Sequence, residues 1–557
     1  MIKARLFLLI TGAIFGTLFM WKTVQRGYVF EDKKPKKSME FRLTKEEKPF
    51  VLIIPSYNNE EYVDKNLWSV LDQEYQNYRV IFIDDCSNDA TYKEAISCVE
   101  SFEATDKVTV IRNPENYKAL YNLYYTIQSL PDDTIVVILD GDDWFAHPRV
   151  LKELNRYYSD PNIWMTYSQY ITYPKYEKGK MLPVNVKKKN LRGQTFFPSL
   201  RTFYAGLFKK IKLKDLLYKG GFFQASWDAA VMLPLWEMAR QHSVFIPDVL
   251  YVYNRETPLN DDKLYRESQF LFNRYIRSLP PYEDVDSFST DIAYDESSAL
   301  IIFSENRPLQ LLSFLESLEK AGGQFSPIHI FYQSSFDAYE KGYDIVREAY
   351  DQKVTLEPWS SEENFLNTIR KIERPYITFA KDTLIVNREI NVGEAISALE
   401  KTGAYAVYFD LGLNVNQIPA GVLSAGDGFF VWDFGQGDNE WKCCNRLDMT
   451  LYRKESLEPF ISKIHFNTIS EFEARWKKCT DLHQIGLFSR QSNVVNVPFQ
   501  ITKIDSGEKS LLYSEEELND RLLEGYKIDI APLENLEVTT REIEFYPHFL
   551  KRSELTD

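Results

Sequence analysis

The sequence predicts an α/β protein made of two successive layered units, each a mostly parallel sheet with flanking helices, behind a short apolar N-terminal segment. Three observations carry this reading. From Phe50 onward, short apolar runs alternate with amphipathic stretches, the pattern that joins parallel strands through crossover helices. Polar clusters close three of those runs, at 55–58, 84–89 and 140–143. The same alternation restarts after Pro280-Pro281. A chain of 557 residues also exceeds what one ordinary core organises.

Taken in order, residues 6–21 (LFLLITGAIFGTLFMW) are uncharged and almost wholly apolar, with Lys3 and Arg5 before them and Lys22 after. They predict a transmembrane anchor over 1–25, Trp21 and Lys22 extending a slightly short span. A cleaved signal peptide is the rival, but no small-x-small site follows. Lys22, Arg26, Lys33, Lys34, Lys36 and Lys37 outnumber the charges ahead of the span. The positive-inside rule then expects a single-pass membrane protein with its bulk on the cytosolic side, lumenal type II being the alternative. Residues 26–48 read as a charged linker.

The first unit spans 49–285. Strands are expected at 50–54, 79–83, 108–111 and 134–139, as apolar runs too short for helices. Helices are expected from Tyr62, with Val63, Leu67, Val70 and Leu71 on one face, and over 90–102 and 117–130. Ligands of such sheets bind beyond the carboxyl ends of the strands, where the three polar clusters fall. Each cluster alone also suits a turn or a helix cap.

Composition excludes some functions. A net charge of -15 argues against a general nucleic-acid binder, and no nucleic-acid partner is expected. Five Cys, two of them vicinal at Cys443 and Cys444, give neither a disulfide framework nor zinc-ligand spacing. The 15% of aromatic residues suit cores first and sugar-stacking surfaces second.

The strand-end residues are specific. PSYN at 55–58, IDDCSNDAT at 83–91 and LDGDDWF at 139–145 form an ordered set. Asp140 and Asp142 lie two apart at a strand end, so their carboxylates can point the same way and offer hard oxygen ligands to Mg²⁺ or Mn²⁺. Such a cation neutralises a departing diphosphate. Over about 49–255 the chain resembles glycosyltransferase family 2, the inverting group with the GT-A fold.

The resemblance implies a nucleotide-sugar donor, UDP in preference, bordered by Pro55, Ser56 and Tyr57, with Tyr57 stacking on the base. Asp84 or Asp85 would accept a hydrogen bond from that base, Asp85 being the choice. It implies Asp142 as metal ligand, Asp140 shared between metal and sugar, and Asp143 in support. Asp228, in GGFFQASWDAAV, stands where the family carries its general base. Arg201 would face the diphosphate or acceptor, and Trp227 would stack on sugar. The chain departs from the pattern at RNPENYKALYN, where the family's glycines and arginine are missing and Lys118 is the candidate replacement. It departs again at LYVYNRETP, which lacks a His. The acceptor is expected to be a glycan, or a lipid-linked or protein hydroxyl; oligomeric state is open.

The second unit, 286–557, is expected to be a diverged GT-A-like domain with a C-terminal subdomain. Strands at 299–303, 328–332 and 376–379 and a helix through Leu311, Phe314, Leu315 and Leu318 repeat the first layout. Its acidic motif would read Ala380-Lys381-Asp382, where a lysine repels a divalent cation. Asp448 is a possible polar centre. The alternative to an inverting transferase is a catalytically silent glycan-binding scaffold with two transferase-like domains.

Overall fold

In the computed structural model the described residues are 46–552, apart from 187–190, 194–198, 259–264, 291–293, 295–296, 324, 479–480, 500–501, 506–507 and 512. The described residues pack as one compact unit.

Strands β1 Phe50–Ser56, β2 Tyr78–Asp84, β3 Val108–Arg112 and β4 Ile135–Ile138 follow the expected apolar runs. Leu52, Ile53, Ile54 and Val136 to Ile138 are fully buried, as strands covered on both faces must be. Between them run α1 Val63–Leu71, α2 Thr91–Ser101 and α3 Ala119–Gln128. The chain continues through β5 Trp144–Phe145, α4 Val150–Tyr158, β6 Met165–Tyr173, β7 Ser199–Tyr204 and α5 Ala205–Lys209. A small hairpin follows, β8 Leu217–Tyr218 and β9 Gly221–Phe222, then α6 Trp227–Ala239, β10 Ser243–Asn254 and α7 Arg266–Ser278. The eight-stranded sheet has the order β3-β2-β1-β4-β7-β6-β10-β5. The first four strands are parallel, and β7 runs antiparallel to both neighbours.

The second half rebuilds that order. Strands β11 Ser298–Glu305, β12 Phe325–Gln333, β13 Thr355–Pro358, β14 Tyr376–Lys381, β15 Leu384–Val386, β16 Ala406–Tyr408, β17 Leu423–Gly426, β18 Phe429–Asp433, β19 Thr450–Arg453 and β20 Ile485–Ser489 are described. All but β15 join a nine-stranded sheet, β13-β12-β11-β14-β19-β16-β20-β18-β17. Its first seven positions match those of the first sheet strand for strand, including the antiparallel β19 in the place of β7. Many aromatics serve cores: Trp432, Trp441, Trp476 and seven Phe share one cluster with Phe379 at the second sheet.

One part of the expected fold class is corrected. No helix among the described residues is long and apolar enough to cross a membrane. Residues 1–45, including the 1–25 segment expected to be an anchor, lie outside the described residues. The described residues form a mixed α/β, GT-A-like arrangement built on two large sheets.

Candidate functional site

The three polar clusters meet at the carboxyl end of β1. Ser56 pairs with Asp84 in the β1–β2 register, and the Asp85 amide donates to the Ser56 carbonyl at 2.8 Å. On the other side the Gly141 amide donates to the Pro55 carbonyl at 3.2 Å. A Cβ on Gly141 would lie 2.6 Å from Ser56 Cβ, so this turn accepts only glycine without displacing β1.

The acidic turn is held from two elements, α1 and β10. Asn66, fully buried on α1, donates through Nδ2 to the carbonyls of Asp140 (3.0 Å) and Asp143 (2.7 Å). The Tyr251 hydroxyl, on β10, donates to Asp143 Oδ2 at 2.5 Å and lies 3.2 Å from Asp140 Oδ2. The Asn254 amide donates to Asp143 Oδ1 at 2.6 Å. Both oxygens of Asp143 are thus engaged. Burial, then the charges of Asp142 and Asp140, push its carboxyl well above the ordinary carboxylate value.

Asp140 is 27% exposed and pairs with Arg201 of β7, Nη1 to Oδ2 at 3.3 Å. The Arg201 guanidinium lies 4.5 Å over the Trp227 ring. Burial opposes its charge, but Asp140, Tyr251 and Asp228 outweigh burial and raise its pKa. Asp228 opens α6 beside Trp227, its Oδ1 accepting from the Ala229 amide at 2.8 Å. Burial raises the Asp228 carboxyl; Arg201 opposes that shift and Asp140 adds to it. Asp140, Arg201, Trp227 and Asp228 therefore form one electrostatic cluster, with half-exposed Asp142 on the same turn.

On the nucleotide side, Pro55 and Tyr57 are half-exposed and Ser56 is buried. The Lys118 ammonium lies 5.7 Å over the Tyr57 ring and also 5.7 Å over Tyr265. Asp84 is buried and ion-paired with Arg112 at 3.3 Å. Asp85 accepts from Asn113 Nδ2 (2.7 Å) and from the amides of Tyr117 (3.0 Å) and Lys118 (2.8 Å). It organises the segment that departs from the family pattern, and that contact gives Lys118 its place.

Two contributors escaped the sequence reading. Asn66 had a signal, a buried-face position between Val63 and Val70. Tyr251 had none in periodicity, because its partner lies 108 residues away in the chain.

Residues 51–216 match the model of glycosyl transferase family 2. Residues 51–216 are a family 2 glycosyltransferase domain. The putative teichuronic acid biosynthesis glycosyltransferase TuaG of Bacillus subtilis is 31% identical over 109 residues, 19% of this chain and 41% of that protein. An uncharacterized glycosyltransferase of Haemophilus influenzae is 34% identical over 112 residues, 20% of this chain and 35% of that protein. The matched stretch spans less than half of either relative. Among solved structures, S. aureus TarS 1–349 with UDP-GlcNAc is 17% identical, covers 41% of this chain and 65% of that one, and superposes with a TM-score of 0.32. The mannosyltransferase PcManGT of Pyrobaculum calidifontis with GDP-Man and Mn²⁺ is 18% identical, covers 49% and 76%, and gives a TM-score of 0.32.

A divalent cation fits the domain's acidic turn. Crowding of three carboxylates, visible in the raised Asp143 carboxyl, is a charge imbalance that such a cation offsets. Among the described residues no group of three or more His, Cys, Asp or Glu is placed to hold a metal ion by itself. Asp140 and Asp142 are the carboxylates of this turn that would supply oxygens to it.

Proposed function

We propose that the chain is an inverting glycosyltransferase, moving a sugar from a nucleotide diphosphate donor, UDP in preference, to a hydroxyl of a glycan or other acceptor. The observation that carries the proposal is the cluster of Asp140, Arg201 and Asp228 at the carboxyl end of the first sheet. It puts an acid-rich turn, a fixed cation and the half-buried Asp228 carboxylate where α/β sheets bind ligands.

Asp228 takes the proton of the acceptor hydroxyl, and its raised pKa makes it a stronger base than an exposed aspartate. The freed oxygen attacks the anomeric carbon, the bond to the diphosphate breaks on the opposite face, and configuration inverts. Arg201 faces the leaving diphosphate and needs no reorganisation, because Asp140 and the Trp227 face already fix its guanidinium. Tyr57 and Lys118 border the base and ribose end. Mn²⁺ or Mg²⁺ held by Asp140 and Asp142 would neutralise charge building on the diphosphate. Trp227 is buried, which supports a role in orienting Arg201 over one in stacking on sugar.

The test is turnover. Purified protein with Mn²⁺ and a panel of UDP-, GDP- and TDP-sugars is expected to release nucleotide from at least one donor. Asp228→Asn should slow that release by about 10² to 10⁴. No turnover of any donor, with or without candidate acceptor glycans, contradicts the proposal.

A further inference from the structure

Beside the acidic turn the chain displays aromatic rings that neither the core nor the proposed chemistry uses. Trp144 directly follows Asp143 and is half-exposed. Its ring meets Tyr173 edge-on at 5.1 Å, and Tyr173 meets Tyr176 at 5.8 Å. Tyr176 is 45% exposed. The Lys65 ammonium lies 4.8 Å over Tyr173 and 5.4 Å over Trp144. Tyr173 ends β6 and sits opposite Asn254 in the β6–β10 ladder, and Asn254 is the residue whose amide holds Asp143. The rings are therefore continuous with the site, at the same end of the sheet.

We propose that Trp144, Tyr173 and Tyr176, with Lys65, form a platform for a saccharide unit of the acceptor. This rests on the transferase reading and adds the substrate's chemistry: the acceptor is a glycan of more than one unit. A pyranose offers an apolar C–H face and a hydroxyl edge. Half-exposed rings with an ammonium among them match both features. A lipid or protein-core partner would need a continuous apolar area. Here the exposed Lys65 lies over two of the rings, and exposed Lys175 and Lys178 flank Tyr176 in the chain.

The experiment is calorimetric titration of the full chain, without nucleotide, by maltohexaose, cellohexaose, chitohexaose and oligogalacturonate. At least one is expected to bind. Its affinity should fall about fivefold in Tyr176→Ala and about tenfold in Trp144→Ala, as loss of one ring contact predicts. Tyr176 is on the surface, so its variant keeps the test independent of folding, and unchanged melting temperatures confirm that. Binding of no saccharide, or equal binding by wild type and both variants, overturns the platform. So does sedimentation with phosphatidylglycerol vesicles that depends on these residues while saccharide binding does not. A parallel titration with UDP and Mn²⁺ separates the two ideas. UDP binding without saccharide binding sinks the platform alone, whereas failure of wild type to bind UDP sinks the transferase reading.

Discussion

Asp143 is buried beside Asp140 and Asp142, with the Tyr251 hydroxyl and the Asn254 amide as partners. Its folded-state pKa stands well above the ordinary 3.8, so charging it costs stability. Stability of the metal-free protein should therefore fall as pH rises from 3.8 toward the folded pKa. Asp143→Asn keeps an acceptor and removes the charge. Melted in chelator from about pH 4 to 8, this variant should match or exceed wild type at neutral pH and lose the slope assigned to Asp143. Melting below wild type throughout would contradict this. Asp228 gives the second residue-level expectation. Asp228→Asn should lower kcat by about 10² to 10⁴ with UDP affinity retained. Because its carboxyl is raised, the acidic limb of kcat/KM in wild type should have its midpoint above 3.8. Steady-state kinetics across pH checks both.

At the scale of elements, the acidic turn depends on α1 and β10 as much as on its own sequence. Removing Asn66 takes the side-chain donor from both turn carbonyls and leaves the Asp140 carbonyl only the Asp143 amide. Asn66→Leu should cost about 1–3 kcal/mol by denaturant unfolding and weaken UDP binding in Mn²⁺. Retained affinity would show that the clamp is not needed. The strands and helices around this turn were legible because each carries its own period. The runs at 50–54 and 134–139 are apolar and closed by polar residues, and the structure extends or trims them by one or two positions. The sequence also exposed Asp140, Asp142, Asp143 and Asp228 as candidates, by residue type and spacing. What it could not expose is contact between distant segments. Tyr251 reaches Asp143 only because β10 lies beside β5, and Arg201 reaches Asp140 only because β7 inserts antiparallel next to β4. Asp85 shows the same limit, since its three donors come from residues 28 to 33 positions away.

Across the molecule the same topology occurs twice with opposite charges at its centre. The Asp382 amide bonds to the Phe303 carbonyl as Gly141 bonds to Pro55, which puts Lys381, not Ala380, at the place of Asp140. Leu200 and Met449, both at φ +47, mark equivalent strand positions beside them. Where Asp140 meets Arg201, Lys381 instead meets Asp448 at 2.7 Å and Glu473 at 3.2 Å. Arg541, from the C-terminal segment, bonds Asp410 at 2.6 Å and Asp448 at 3.2 Å. The second strand end is filled by its own ion network. Lys381→Ala leaves Asp448 short of a partner and should cost about 1–3 kcal/mol by denaturant unfolding without changing UDP affinity. The central claim is that the first strand end alone, through its acidic turn, takes a cation with a nucleotide diphosphate. Calorimetric titration of UDP in Mn²⁺ tests it most directly. The account predicts binding by wild type, its loss on chelation, and at least tenfold weakening in Asp142→Ala (a change of about 1.4 kcal/mol or more). UDP binding that is equally tight in Asp142→Ala, or indifferent to Mn²⁺, would contradict it.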